Sequence, residues 1–306
     1  MWGGTDRRQA VHAIRAAIDE GVTAIDTAPI YGQGLSEEIV GEAISEVPRD
    51  RVQVLTKFGF RWDVKQGELA MNTQDHAGRP LKVYKYAGKE SVIFECEQSL
   101  RRLRTDHIDL LQHHSPDPTT PISETMEALE LLVRQGKVRY VGVSNYTAEQ
   151  VDEAREHTLV VSDQLPYSML KRGIETTHLP YLMQHGLGTI GYSPLERGLL
   201  TGKIAPGHVF GAGDHRANHK HFRPRNIERV NAMLDQLRHI TTDLGCTLGQ
   251  LVLRWTVDRP GITVVLVGAR NAEQAVANAR AASVRLSDEV RSRIDAAVER
   301  VVLDLD

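Results

Sequence analysis

The apolar residues of this chain alternate between a spacing of two and a spacing near 3.6 along nearly its whole length. Few architectures accommodate such a rhythm. Helix-like spacing covers 6–20, 36–46, 89–104, 122–135, 147–157, 176–185, 226–244 and 248–258. Strand-like spacing covers 22–27, 52–57, 107–114, 138–143, 160–165, 188–193 and 263–268. Strands separated by helices pair in parallel through crossover connections. The sheet either closes into a barrel or stays open and doubly wound. An open dinucleotide-binding sheet normally carries GxGxxG after its first strand, and the chain has none. The conspicuous polar residues instead gather at strand C-termini, where barrel enzymes build their sites. The expected fold class is α/β, a (β/α)8 TIM barrel, with 1–306 as one domain.

Only seven strands are evident, and residues 1–5 are too few to supply another before the helix at 6–20. A seven-stranded parallel barrel has an unpaired edge and a gap in its wall. Two connections, 59–88 and 194–225, are too long for simple strand-to-helix loops and are read as functional. The first contains Phe60, Trp62, Tyr84 and Tyr86, enough aromatic surface to wall a pocket. Ser36 and Thr147 read as helix N-caps, the second with Gln150 completing a capping box.

Composition narrows the partners. With 25% charged residues and a net charge of -3, nothing favours nucleic acid or an anionic membrane. Cys96 and Cys246 lie in helical patterns, against a disulfide framework or cysteine metal site. No leader pattern and no long apolar run is visible, so the expected compartment is the cytoplasm. His208, His215, His219 and His221 form a tract without a carboxylate or cysteine pattern, and no metal site is expected.

Three segments carry the chemistry: IDTAPIYG with Asp26 and Tyr31, VLTKFG with Lys57, and DLLQHHSPD with His114. Each is a short apolar strand with its polar group at or just past the C-terminal end. Taken singly, a turn aspartate, a loop tyrosine, a strand-end lysine and a satisfied histidine are ordinary. Their joint occurrence at three successive strand ends points to one site. A phenol ordinarily titrates near 10; a neighbouring ammonium stabilises its phenolate, and a carboxylate holds the ammonium in place. An imidazole beside them can orient and polarise a carbonyl oxygen.

IDTAPIYG, LTKFG, RTDHIDLLQHHSPD, GKVRYVGVSNY, GYSPLERGLLTGK and VGARNAEQAVAN together resemble the aldo-keto reductase family, in its motif order and spacing, from Trp2 to near the C-terminus. The resemblance implies a barrel binding NADP(H) at its C-terminal face and a reversible reduction of a small carbonyl substrate. It implies that Tyr31 is the general acid, that Lys57 and Asp26 tune it, and that His114 orients the carbonyl. His114 rather than His113 follows from the pattern Gln112-x-His114-x-Pro116-Asp117, with His113 pointing toward the helices. Ser144, Asn145 and Gln164 would bind the nicotinamide carboxamide and Tyr192 would stack on its ring. Ser193, Leu195, Gly198 and Lys203, with Arg216 assisting, would line the pyrophosphate. Gly268, Arg270, Gln274 and Asn278 would grip the adenosine 2′-phosphate and adenine. Arg270 sits just before a helix, which joins a guanidinium to a positive helix terminus and favours NADP(H) over NAD(H).

Three departures stand out. Ser115 replaces a frequent tryptophan, implying a wider and less aromatic substrate pocket. Ala277 replaces a frequent glutamate in the adenine segment. Relatives also carry a β-hairpin and a first barrel strand ahead of the point matching Trp2. An internal start site or a true truncation both accommodate this. The gap also motivates a rival reading, a non-catalytic NADP(H)-binding sensor resembling potassium-channel β-subunits.

Overall fold

The computed structural model describes residues 6–75, 77–211 and 213–306. In chain order the elements begin α1 (Arg7–Asp19), β1 (Ala24–Asp26), α2 (Leu35–Ile44) and β2 (Gln53–Phe58). A small excursion follows: β3 (Phe60–Arg61), β4 (Glu68–Gln74) and β5 (Pro80–Lys85). The alternation resumes with α3 (Lys89–Leu103), β6 (Ile108–His113), α4 (Ile122–Arg134), β7 (Val138–Ser144), α5 (Ala148–Arg155), β8 (Val160–Pro166), α6 (His178–Gln184) and β9 (Gly188–Tyr192). After the second long connection come α7 (Pro224–Leu244), α8 (Leu248–Val257), β10 (Val264–Leu266), α9 (Ala272–Ala279) and α10 (Asp288–Glu299).

The main sheet runs β1-β2-β6-β7-β8-β9-β10, every neighbouring pair parallel. It is a nearly closed barrel of seven strands flanked by helices. Among the described residues β1 and β10 form its two edges, and residues 1–5 lie outside the described residues. On the outside of this open flank α1 packs against α9, and Arg280 bonds Glu20 at 3.1 Å. No described helix is long and apolar enough to cross a membrane.

Outward-facing strand residues such as Val54, Leu111 and Val141 are buried against the helices in a cluster with Val92, Leu129 and Val151. A second cluster packs α7, α8 and α10 around Trp255, Leu234 and Ile294. Inside the barrel the apolar filling is small, Leu55, Leu110 and Ile190, which leaves the C-terminal layer to polar side chains.

Local chemistry explains the helix starts. Thr147 and Gln150 form the expected capping box, and Thr247 with Gln250 forms another. Ser36 does not cap: α2 begins earlier, after Gly34 in the left-handed region at φ 98°. The Ser36 hydroxyl instead accepts from Thr27 Oγ1 at 2.8 Å. A Cβ on Gly34 would lie 2.7 Å from Arg102 Cδ, so a close crossing as well as the turn selects glycine there. Residues 59–88, read from the sequence as one long loop, contain a three-stranded antiparallel sheet ordered β3-β5-β4. Helices α9 and α10 also went unmarked by the spacing.

Candidate active site

Asp26 ends β1 and Lys57 lies near the end of β2, and parallel pairing of these strands brings their side chains together. Lys57 Nζ donates to Asp26 Oδ1 at 2.5 Å and to the Thr27 carbonyl at 2.9 Å. The lysine side chain is wholly buried and that of Asp26 only 11% exposed, so the pair is not a surface ion pair screened by water. Tyr31 follows on the β1–α2 loop, its ring centroid 5.3 Å from Lys57 Nζ.

His114 follows β6. Its ring stands edge-on to Tyr31 at 5.8 Å between centroids and touches Phe60 at 4.7 Å. The four residues expected to act together are therefore contiguous. Burial pushes the Tyr31 phenol above its ordinary range, and Lys57 pulls against it. The sequence-based expectation that the ammonium lowers this value is thus met in direction but outweighed by desolvation. His114 is held well below the usual imidazole range by burial first, then by Lys57 and His113.

His113 points the other way, as strand alternation requires. It stacks on Phe58 at 4.9 Å, and its Nδ1 pairs with the Tyr146 hydroxyl at 2.7 Å. Burial lowers it to about 4.

The residues expected to hold a nicotinamide amide adjoin this cluster. Ser144 Oγ donates to the Gln164 carbonyl at 2.8 Å. Asn145, left-handed at φ 61°, donates from Nδ2 to the His114 carbonyl at 3.1 Å and accepts from the Tyr192 hydroxyl at 3.0 Å. Gln164 turns further inward than expected, its Nε2 donating to Asp26 Oδ2 at 3.0 Å. Gln112 does the same at 3.2 Å. Gln112 was visible in the sequence only as the start of a motif. Its link to Asp26 depends on which strands become neighbours.

Farther along, Ser193, Glu196, Arg197 and Gly198 all have positive φ, at 61°, 44°, 52° and 91°. The turn closes on itself, the Glu196 and Gly198 amides donating to the Ser193 and Leu195 carbonyls at 3.0 and 2.9 Å. Leu195 lies within this turn, and Lys203 follows it, its N–H donating to Thr201 Oγ1 at 3.4 Å. Arg216 reaches the turn from the second long connection, donating to the Arg197 carbonyl at 3.4 Å and bonding Asp214 at 2.6 Å. Arg197 is a basic group here that sequence reading left out.

The Arg270 amide donates to Gln274 Oε1 at 3.0 Å, Asn271 caps α9, and Asn278 Nδ2 reaches the Gly268 carbonyl at 3.3 Å. These four expected residues thus form one turn around the start of α9. Basic side chains at a tight turn, an aromatic ring and an arginine just before a helix form a set that fits a phosphorylated dinucleotide.

The second long connection contains short 3-10 segments at Glu196–Thr201, His215–Asn218 and Lys220–Phe222. Its histidines are engaged with neighbours: His219 bonds Arg197 at 2.6 Å and stacks on His221 at 4.9 Å. In the first excursion, Phe60 and Trp62 pack with Ile30, Val83 and Tyr31 beside the cluster.

The fold and site define a parallel α/β barrel whose buried ion pair, phenol and imidazole share the C-terminal face with a nucleotide-like cradle. The Aldo/keto reductase family profile matches residues 1–299, and the chain belongs to that family. It is 36% identical over 291 residues to the NADH-specific methylglyoxal reductase of Escherichia coli K12, covering 94% of this chain and 87% of that protein. The solved glycerol dehydrogenase of Gluconobacter oxydans is 37% identical, with a TM-score of 0.88, over 98% of this chain and 88% of the other. A Klebsiella pneumoniae aldo/keto reductase in complex with NADP and acetate is 31% identical, with a TM-score of 0.71, over 100% of this chain and 93% of the other. These three relatives are oxidoreductases.

Proposed function

We propose that the chain reduces a small aldehyde or ketone to an alcohol with NADPH, reversibly, as a single-domain cytoplasmic enzyme. The observation that carries this reading is the buried Asp26–Lys57 pair beside Tyr31, with His114 facing the same ring. Bound NADPH supplies the hydride for the carbonyl carbon. The remaining steps belong to the chain. His114, held below the usual imidazole range by burial, donates an N–H to the carbonyl oxygen and fixes its direction. Tyr31, a phenol at neutral pH, gives its proton to that oxygen as negative charge develops. Lys57 stabilises the phenolate left behind, and Asp26 keeps the ammonium in place. Water then returns the proton to Tyr31.

Ser144, Asn145 and Gln164 are assigned to the nicotinamide carboxamide and Tyr192 to its ring. The Ser193–Gly198 turn with Lys203 and Arg216 is assigned to the pyrophosphate, and Gly268, Arg270, Gln274 and Asn278 to the adenosine end. The preference for NADPH rests on Arg270 at the start of α9; the NADH-specific Escherichia coli relative makes it a point to be measured.

The test is Tyr31→Phe assayed over aldehydes, ketones and sugars with NADPH and NADH. Nucleotide binding, followed by quenching of protein fluorescence, should persist. Turnover should fall by about 10²-fold or more. Unchanged turnover in the variant refutes the assignment, and binding without turnover by the unaltered chain points to the sensor reading instead.

A further inference from the structure

Asp26 has more hydrogen-bond partners than an ion pair needs. Oδ1 takes the Lys57 ammonium, while Oδ2 accepts two side-chain amides, Gln112 Nε2 at 3.2 Å and Gln164 Nε2 at 3.0 Å. The amides are joined to each other, Gln164 Nε2 donating to Gln112 Oε1 at 3.1 Å. Gln112 is wholly buried and Gln164 nearly so. The result is a closed polar layer across the barrel, built from β1, β2, β6 and β8.

Strand register assembles it. Lys57 pairs with Gln112, and Gln112 pairs with Gly142 on β7. A Cβ on Gly142 would lie 3.1 Å from Gln112 Cγ and 2.9 Å from Ser162 Oγ. The absent side chain on β7 is therefore what lets Gln112 meet Gln164 across the intervening strand.

We propose that Gln112 is a positioning residue for the Tyr31–Lys57–Asp26 proton-transfer group, acting through the second oxygen of Asp26. It goes beyond the family roles and rests on the reading of Tyr31 as the acid. A buried carboxylate with only one oxygen satisfied would swing to share both oxygens with Lys57 or rotate away from it. The two glutamines hold the plane of the carboxylate, so Lys57 Nζ stays aimed between Oδ1, the Thr27 carbonyl and the Tyr31 ring. The amides also draw off part of the carboxylate's charge, which otherwise opposes ionisation of Tyr31. Because Gln164 also belongs to the proposed nicotinamide amide site, Gln112 is the partner that keeps hold of Asp26 if Gln164 turns toward bound cofactor.

The test compares the unaltered chain with Gln112→Met, which keeps the volume and removes the amide. The Tyr31 titration is read by ultraviolet difference spectroscopy with Tyr31→Phe as the blank. Steady-state kinetics follow separately. The expected result is a Tyr31 titration moved upward by about half a pH unit or more. A kcat lower by about tenfold, with the KM for NADPH within about twofold, should accompany it. A folded Gln112→Met with an unmoved titration overturns the proposal, as does lowered stability with unchanged kcat. Gln112→Asn, whose shorter amide cannot reach Asp26, should give the same upward shift. Failure of both variants to fold assigns Gln112 a purely structural role and also overturns it. If the unaltered chain shows no carbonyl reduction but the titration moves, the positioning role stands and the proposed function falls.

Discussion

The Lys57 ammonium lies 2.5 Å from the Asp26 carboxylate with its whole side chain out of contact with solvent. Such a pair is costly to bury and costlier to break, because the surviving partner is left as an uncompensated charge. Lys57→Met should therefore abolish turnover and destabilise the barrel by about 3–5 kcal/mol, read from urea unfolding. Adding Asp26→Leu should recover much of the stability and none of the turnover. A double variant no more stable than Lys57→Met would refute the account of the pair as a matched burial.

Arg270 offers a second test. It directly precedes Asn271, the N-cap of α9, where the 2′-phosphate is proposed to bind. A charge-assisted bond of this kind contributes about 1.5–3 kcal/mol. Arg270→Ala should raise the KM for NADPH by about 10- to 100-fold and leave that for NADH within a few-fold. Equal weakening of both nucleotides would place Arg270 elsewhere on the ligand.

Asp163 gives a pH dependence. Strand alternation turns it away from Gln164 and toward the helices, where it is wholly buried with no charged partner. Burial pushes its carboxyl up to about 7 from an ordinary 3.8, against the nearby amides of Tyr146, Asn145 and Gln164. The folded pKa is raised, so this group's contribution is fully present below the unfolded value and is lost as pH climbs through the folded one. Asp163→Asn removes that loss while leaving the histidines of both chains alike. The stability of the variant relative to the unaltered chain should rise between about pH 4 and 7, by roughly 4 kcal/mol in all. A pH-independent difference would show that Asp163 ionises freely.

Gly41 tests helix packing. A Cβ there would lie 2.6 Å from the Arg102 carbonyl oxygen and 2.8 Å from that of Leu103, both backbone atoms that cannot swing aside. Gly41→Ala should lower stability by about 1–3 kcal/mol despite the better helix propensity of alanine. A higher melting temperature in the variant would mean that α2 shifts at no cost.

Most of the fold was legible from spacing, because parallel strands buried on one side and amphipathic helices each impose their own period. All seven barrel strands and eight of the helices lie where the periodicity places them, within a few residues at the ends. The small sheet at 60–85 was not legible. Its central and outer strands pack little core, and β4 is largely exposed, so no apolar rhythm marks it. Ser36 misled for a related reason: a good capping residue loses to a glycine whose left-handed turn starts the helix two residues earlier.

The chemistry divides in the same way. Asp26, Tyr31, Lys57 and His114 could be named from the sequence, since each motif carries its polar residue at a strand end. The motif Gln112-x-His114-x-Pro116-Asp117 separated His114 from His113; strand alternation sets the two on opposite faces but does not say which face is interior. Only the tertiary structure decided that Gln112 and Gln164 meet on one oxygen of Asp26, and that burial outweighs Lys57 in setting the acidity of Tyr31. Those outcomes depend on strand order, on the space left by Gly142, and on the exclusion of water. They arise from residues as much as 138 positions apart. No local pattern encodes them.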